Sequence, residues 1–200
     1  MNNDGKEKIL QAAQRVIVQH GISGATMRGI AREAGLSTGA IYHYYKNKEE
    51  VLYDIMDKSL SESTRISEKS KYKEETPEAI IAEISENILK RFEKISENRL
   101  QLYLSHEAMV GNEELVSKFK EKYKEWISRT EDLIKILYQR EDNKYTRAFA
   151  SLLIGAIDGV VLQLMLGANV STPEEISEVY GFILKDGIPR FLDYLNHEIK

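Results

Sequence analysis

Apolar residues recur at three- and four-residue intervals along most of this chain, and no stretch alternates as a half-buried strand would. Ile9, Ala12, Ala13, Val16 and Ile17 predict an amphipathic helix over 6–20, with Gly21 as its stop. Ile22 and Ala25 cross over to Thr26, a helix cap, and Ile30, Ala31 and Ala34 mark a second helix that ends at Gly35. Ser37 is a good N-cap for a short third helix reaching about residue 44 or 45, with Leu36 and Ile41 apolar. Asn47, with Glu50 three residues on, opens a longer helix towards about residue 70, whose inner face is Val51, Leu52, Ile55, Met56 and Leu60. Residues 61–73 are polar and mixed in charge, the pattern of a connector.

Thr76-Pro77 starts the next helix, with Ile80, Ile84, Ile88 and Phe92 inward, joined by Ile81 and Ile95, and an end near residue 98. A shorter helix over 100–110 stops at Gly111. Asn112 then caps a long helix to about residue 139, with Leu115, Phe119, Tyr123, Trp126, Ile127, Thr130, Leu133, Ile134 and Leu137 as its stripe. Residues 140–144 read as a charged turn. The 145–168 stretch is apolar almost all round from residue 148, with Ser151, Gly155 and Gly159 four apart on one small face. Thr172-Pro173-x-Glu175 opens the last helix as a capping box, with Ile176, Val179, Tyr180, Ile183 and Leu184 on its face. Gly187-Ile188-Pro189 should break or kink it before a terminal piece over 191–197. The pattern is all-α, without repeats.

The 26–48 stretch is the organising feature. Two short helices around a glycine turn, braced by the first helix and running into another, form the pattern of a helix-turn-helix, whose second helix enters a DNA major groove. The exposed face of the short helix carries Thr38, Gly39, Ala40, Tyr42, His43 and Tyr44. Small residues at its start let the backbone approach base edges, and the Tyr and His groups donate to phosphates or bases. Arg28, Arg32, Lys46 and Lys48 stand against one acid, Glu33, in this stretch. Ser37 caps the helix; Thr26, Arg28, Tyr42, Tyr44 and Lys48 are expected on phosphates, and Thr38, Gly39, Ala40 and His43 towards bases. Tyr45 is assigned mainly to the core of the module. Backbone N–H groups at the start of the helix from 48 would add to a phosphate site.

Composition changes this picture only slightly. The net charge is −4, but residues 1–58 carry eight Lys/Arg against seven Asp/Glu, so the acidic excess lies in the remainder. A nucleic-acid footprint is a local patch and not a whole-chain sum. Cysteine is absent, which excludes disulfides, thiolate metal sites and thiol redox sensing. The polar N-terminus lacks a secretory signal core, and a cytoplasmic location is expected.

In residue type and order, Thr26, Ile30-Ala31, Ala34-Gly35-Leu36-Ser37, Gly39, Ile41-Tyr42, Tyr44-Tyr45, Lys48-Glu49 and Leu52 resemble the DNA-binding domain of the tetracycline-repressor (TetR) family of bacterial one-component regulators. The resemblance covers roughly the first quarter of the chain. It implies a helix-turn-helix domain over 1–47, a connecting helix over 48–73, and a ligand-binding and dimerisation domain over 74–200. It also implies a homodimer built from the last two long helices as a four-helix bundle, a palindromic double-stranded DNA operator, and a small-molecule effector. Independently, a helix apolar all round needs cover on every side, and two recognition helices must reach half-sites ~34 Å apart.

The apolar 148–168 stretch has the length of a membrane span, but Asp158 at its centre costs about 2.5–3.5 kcal/mol there. A buried subunit contact is the preferred reading, with no membrane. No catalytic set converges in the sequence: His20, His43, His106 and His197 are scattered. His106-Glu107 matches the start of a zinc-protease helix, but Val110 stands where the second histidine belongs. No enzyme, metal site or cofactor is therefore expected. Candidates for the implied effector site are Phe92, Tyr103, Tyr123, Trp126 and Phe149 as apolar walls, with His106, Asp158 and Gln163 as polar groups. Each also fits a plain helical core. Two other functions fit the same residues: a partner-controlled DNA-binding protein without a small-molecule effector, and a helical scaffold without a DNA role.

Overall fold

The computed structural model describes residues 3–61, 75–139 and 145–198, and side chains within residues 4–194. Among them there are helices and turns and no strand. The connector expected over 61–73, the reach of its helix towards residue 70 and the charged turn over 140–144 lie outside the described residues. So does the side chain of His197.

The helices are α1 (Asn3–Gly24), α2 (Met27–Glu33), α3 (Thr38–Tyr42), α4 (Lys48–Leu60), α5 (Pro77–Glu93), α6 (Ile95–Met109), α7 (Glu113–Tyr138), α8 (Thr146–Leu166), α9 (Pro173–Phe182) and α10 (Ile188–Glu198). A π-helical turn, Ile183–Gly187, joins α9 to α10. The chain divides into two units, Met1–Leu60 with Ser96–Lys118, and Ser61–Ile95 with Phe119–Lys200.

The first unit is built on α1, which packs on α2 and α4, while α2 packs on α3. Ile9, Ala12, Ala13 and Val16 of α1 are buried, as are Ile30 and Ala31 of α2, Ile41 of α3, and Val51, Leu52, Ile55 and Met56 of α4. Each fully buried Ile or Leu contributes about 1.5–3 kcal/mol. Gly21 leaves the helical path at φ 71° and ends the regular part of α1. Local chemistry fixes each short helix. Thr26 Oγ1 accepts the Gly29 N–H at 3.0 Å, Ser37 Oγ accepts the Ala40 N–H at 3.1 Å, and Gly35 makes the turn at φ 65°. At α4, Asn47 Oδ1 accepts the Glu50 N–H at 2.9 Å, and Glu50 Oε2 in turn accepts the Lys46 N–H at 2.7 Å. Leu100 and Leu104 of α6 and Leu115 of α7 are buried, and the Tyr53 hydroxyl donates to the Lys118 carbonyl at 3.1 Å.

The second unit contains α5, the rest of α7, and α8 to α10. Ile134, Ala150, Leu184, Ile188 and Leu192 form one buried cluster, and Ile88, Phe92, Val161 and Tyr180 another. Thr172 and Glu175 make the expected reciprocal capping box. The Tyr138 hydroxyl donates to the Leu184 carbonyl at 2.6 Å, and its burial raises the phenol to about 12.

Several element boundaries differ from the sequence reading; the helix expected over 100–110, for one, begins at Ile95. The short third helix ends at Tyr42, before residue 44. The helix from Pro77 ends at Glu93 and not near 98, because Lys94 takes ψ 62°. Ile95 is consequently half exposed instead of joining the inner face. Pro189 does not end the last helix. The Ile188 N–H bonds back five residues to the Ile183 carbonyl, and this wider turn accommodates a proline that an α-turn would reject.

Candidate nucleic-acid interface

The short helix α3 is held from behind and open in front. Ile41 and Tyr45 anchor it in the core, and Tyr45 donates to Asp54 Oδ2 at 3.0 Å. Burial, then the Asp54 charge, pushes the Tyr45 phenol well above its ordinary value. On the outer side Ser37, Thr38, Gly39, Tyr42 and His43 are exposed, Ala40 is partly exposed, and Tyr42 shows 52% of its surface. A Cβ placed on Gly39 would meet only the Ser37 hydroxyl, at 3.9 Å, so this turn of backbone faces open space. Thr26 and Arg28 are exposed at the start of α2, and Arg32 lies one turn further on.

Two expected phosphate contacts are differently placed. Tyr44 is partly buried and its hydroxyl lies against Gly5 of α1. Lys48 is also partly buried. Its amine donates to the Ile22 carbonyl at 3.4 Å and sits 5.5 Å above the Tyr103 ring. The first N–H groups of α4 are partly consumed by the Asn47 cap.

The electrostatics depend on a residue that sequence reading passed over. Arg15 of α1 donates from Nε to Glu33 Oε1 at 2.6 Å, so the one acid of the 26–48 stretch is paired. Arg28, Arg32 and Lys46 remain exposed beside it in sequence. The pairing was invisible in the sequence because Arg15 and Glu33 stand eighteen residues apart on different helices. Glu50 is likewise committed. Burial opposes its ionisation, but the Lys46 N–H, a Glu114 side-chain hydrogen bond and the Lys118 and Lys46 charges outweigh this and hold its carboxyl below the ordinary range.

The candidate effector residues do not form one group. Tyr103 and His106 belong to the first unit, and His106 is exposed beside Glu107 at 3.7 Å. In the second unit the Tyr123 hydroxyl donates to Asp158 Oδ2 at 2.6 Å, and the Trp126 ring stands edge-on to Tyr123. Phe92 is buried in the cluster of α5, α8 and α9, whereas the Phe149 ring lies tilted against Phe191 of α10, with centroids 5.0 Å apart. Gln163 is exposed, and its Oε1 accepts from Asn169 at 3.3 Å. Arg91 was not singled out from sequence, yet its Nη2 lies 3.9 Å from Asp158 Oδ1. Its signal was the spacing from Asn87 along the inner stripe of α5.

The helix α8 is long and apolar enough to cross a membrane by length and composition. Its one acid is engaged by side chains of α5 and α7.

Residues 9–55 match the family described as bacterial regulatory proteins, tetR family. The HTH-type transcriptional regulator PksA of Bacillus subtilis (strain 168) is 47% identical over 47 residues, 24% of this chain and 23% of that protein. The chain therefore spans less than a quarter of that relative's length in the matched region. The fatty acid metabolism regulator protein of the same organism is 27% identical over 77% of this chain and 80% of its own. The crystal structure of the transcriptional regulator FadR from Bacillus subtilis, in complex with stearoyl-CoA, has the same fold. Its TM-score is 0.65, with 22% identity over 90% of this chain and 98% of the other. These relatives are named as regulators. With a glycine-turned helix pair inside it, the segment 9–55 matches the bacterial regulatory proteins, tetR family, and the chain shares its fold with FadR over most of its length.

Proposed function

We propose that this protein is a homodimeric, ligand-responsive transcriptional regulator, acting as a repressor on a palindromic DNA operator in the cytoplasm. The observation that carries this reading is the exposed α3, with Thr38, Gly39, Ala40 and His43 turned outward and Tyr42 half exposed, next to a cationic stretch whose acid is paired. On this reading His43 and the small residues meet base edges. Thr26, Arg28 and Tyr42 hold phosphates, Ser37 positions the helix, and Tyr44 and Lys48 act from the rim.

Dimerisation is supported by exposed apolar groups in the second unit: Leu152, Leu162 and Leu166 of α8, Val179 and Phe182 of α9. Gly155 and Gly159 have open space where a Cβ would stand, so a second copy of α8 can approach closely. This occupant meets the two-fold symmetry of a palindromic site.

An effector bound among α5, α7, α8 and α9 would release DNA by binding one conformation better than the other. The likeness to a fatty acid metabolism regulator, and to FadR in complex with stearoyl-CoA, supports an effector with a long apolar body.

Selection from random duplexes tests the reading. The expected result is a two-fold symmetric site with half-sites about one helical turn apart. Enrichment of no sequence, or of a site without symmetry, would overturn it.

A further inference from the structure

The second unit holds a polar group that its packing does not need. Asn87 and Arg91 lie one turn apart on the stripe of α5 that carries Ile84 and Ile88. Ile88 packs with Tyr180 of α9 in one cluster, and the Ser177 hydroxyl bonds the Ser85 carbonyl at 2.9 Å, fixing α9 along the same seam. Asp158 of α8 accepts from Tyr123 and faces Arg91 at 3.9 Å. Tyr180 is 7% exposed, yet its hydroxyl has no hydrogen-bond partner, and the buried amide nitrogen of Asn87 has none either. A buried donor left without a partner costs stability, and phenylalanine would fill nearly the same volume without that cost. Two such donors on facing helices call for an acceptor that the chain itself does not supply.

The charges narrow the class of that acceptor. Arg91 and Asp158 are of opposite sign and face each other, so the site is close to neutral. A second carboxylate here would place another anion beside Asp158, which is partly buried and already faces Arg91, and two like charges at one partly buried site are disfavoured. A carbonyl oxygen offers two lone pairs and no charge, matching one phenol and one amide donor.

We propose that Tyr180 and Asn87 form the polar end of the effector site and donate to a neutral carbonyl oxygen, in an ester, thioester, amide or ketone. The apolar body of the ligand lies along Ile88, Phe92, Ile157, Val161 and Met165. The inference rests on the effector reading above and names its ligand class.

The test is calorimetric titration and thermal melting of the full chain without DNA, with methyl decanoate as neutral probe and decanoate as its charged counterpart. Tyr180→Phe is the variant. The expected result is ester binding at least about tenfold tighter than acid binding, and at least about tenfold ester affinity lost in Tyr180→Phe. Without ligand, Tyr180→Phe melts at the same temperature as the parent or higher, since no bond is removed. No ester binding, tighter binding of decanoate, ester affinity unchanged in Tyr180→Phe, or a lower melting point of the free variant would each overturn the proposal. Because the titration contains no DNA, failure here leaves the operator reading standing. Failure of site selection with the expected ester binding would sink only the regulator reading.

Discussion

Arg15 and Glu33 join α1 to α2 through a 2.6 Å ion pair, and α2 is the helix that presents Arg28 and Arg32. The pair acts less as a fastener than as a mask over negative charge. Exposed pairs of this kind stabilise a fold by about 0–1 kcal/mol. Arg15→Met should therefore change the melting temperature little. It should weaken duplex binding about two- to fivefold at low salt, by releasing Glu33 beside the phosphates. Adding Glu33→Gln to the same chain should restore binding. Anisotropy titrations at two salt concentrations check both arms, and an unchanged affinity for Arg15→Met would remove the masking role.

Tyr42 is 52% exposed and lies outside the buried core, so its replacement separates binding from folding. Tyr42→Ala should weaken operator binding by roughly 1–3 kcal/mol, the scale of one good contact. Its denaturation midpoint should stay with the parent's.

Ser37 tests the presentation of α3. Removing its hydroxyl takes away the acceptor for the Ala40 N–H in a helix of five residues. Ser37→Ala should cost about 1 kcal/mol in urea unfolding, and Ser37→Asp should retain most of that stability. Equal stability of Ser37→Ala and the parent would show that the cap is dispensable.

The apolar face of the second unit predicts assembly. Phe182 is 67% exposed and Leu152 71% exposed. A charge among these exposed apolar groups should split a dimer. Phe182→Glu should sediment at half the parent's mass while keeping its helical circular dichroism. A parent already monomeric at micromolar concentration would contradict the arrangement.

Tyr138 ties stability to alkaline pH. Its folded phenol is raised from 10.0 to about 12 by burial. The fold favours the protonated form, so this contribution is complete below pH ~10 and is lost as the pH rises through about 12. Phenolate absorbance and helical dichroism recorded together should show unfolding within that window. Tyr138→Phe, which loses the bond to Leu184, should be less stable at neutral pH by about 1 kcal/mol.

Caps and turn glycines carried most of the fold into view from sequence alone. Thr26, Ser37, Asn47, Asn112 and Thr172 each cap the helix they were expected to cap, because a capping bond spans only three residues. The outward face of α3 was legible for the same reason: Ile41 and Tyr45 face the core at one helical phase, and Tyr42 and His43 do not. Contacts between distant residues were not legible. Nothing local marks Arg15 for Glu33, Tyr53 for the Lys118 carbonyl, or Ile22 as the acceptor for Lys48. The break at Lys94 was hidden because the apolar rhythm of α5 runs on through Ile95 without a glycine or proline.

The wide turn at Ile183–Gly187 also sets rotational phase. Tyr180, Leu184, Ile188 and Leu192 are all buried at steps of four, and a regular α-helix would carry the last of them roughly 120° away from the first. One residue absorbed by the wide turn removes about 100° of that drift, so a single seam serves both halves of the rod. Wound at the same length as a regular α-helix, the segment would keep its helical hydrogen bonds and still turn Ile188 and Leu192 about 100° off the seam, towards water.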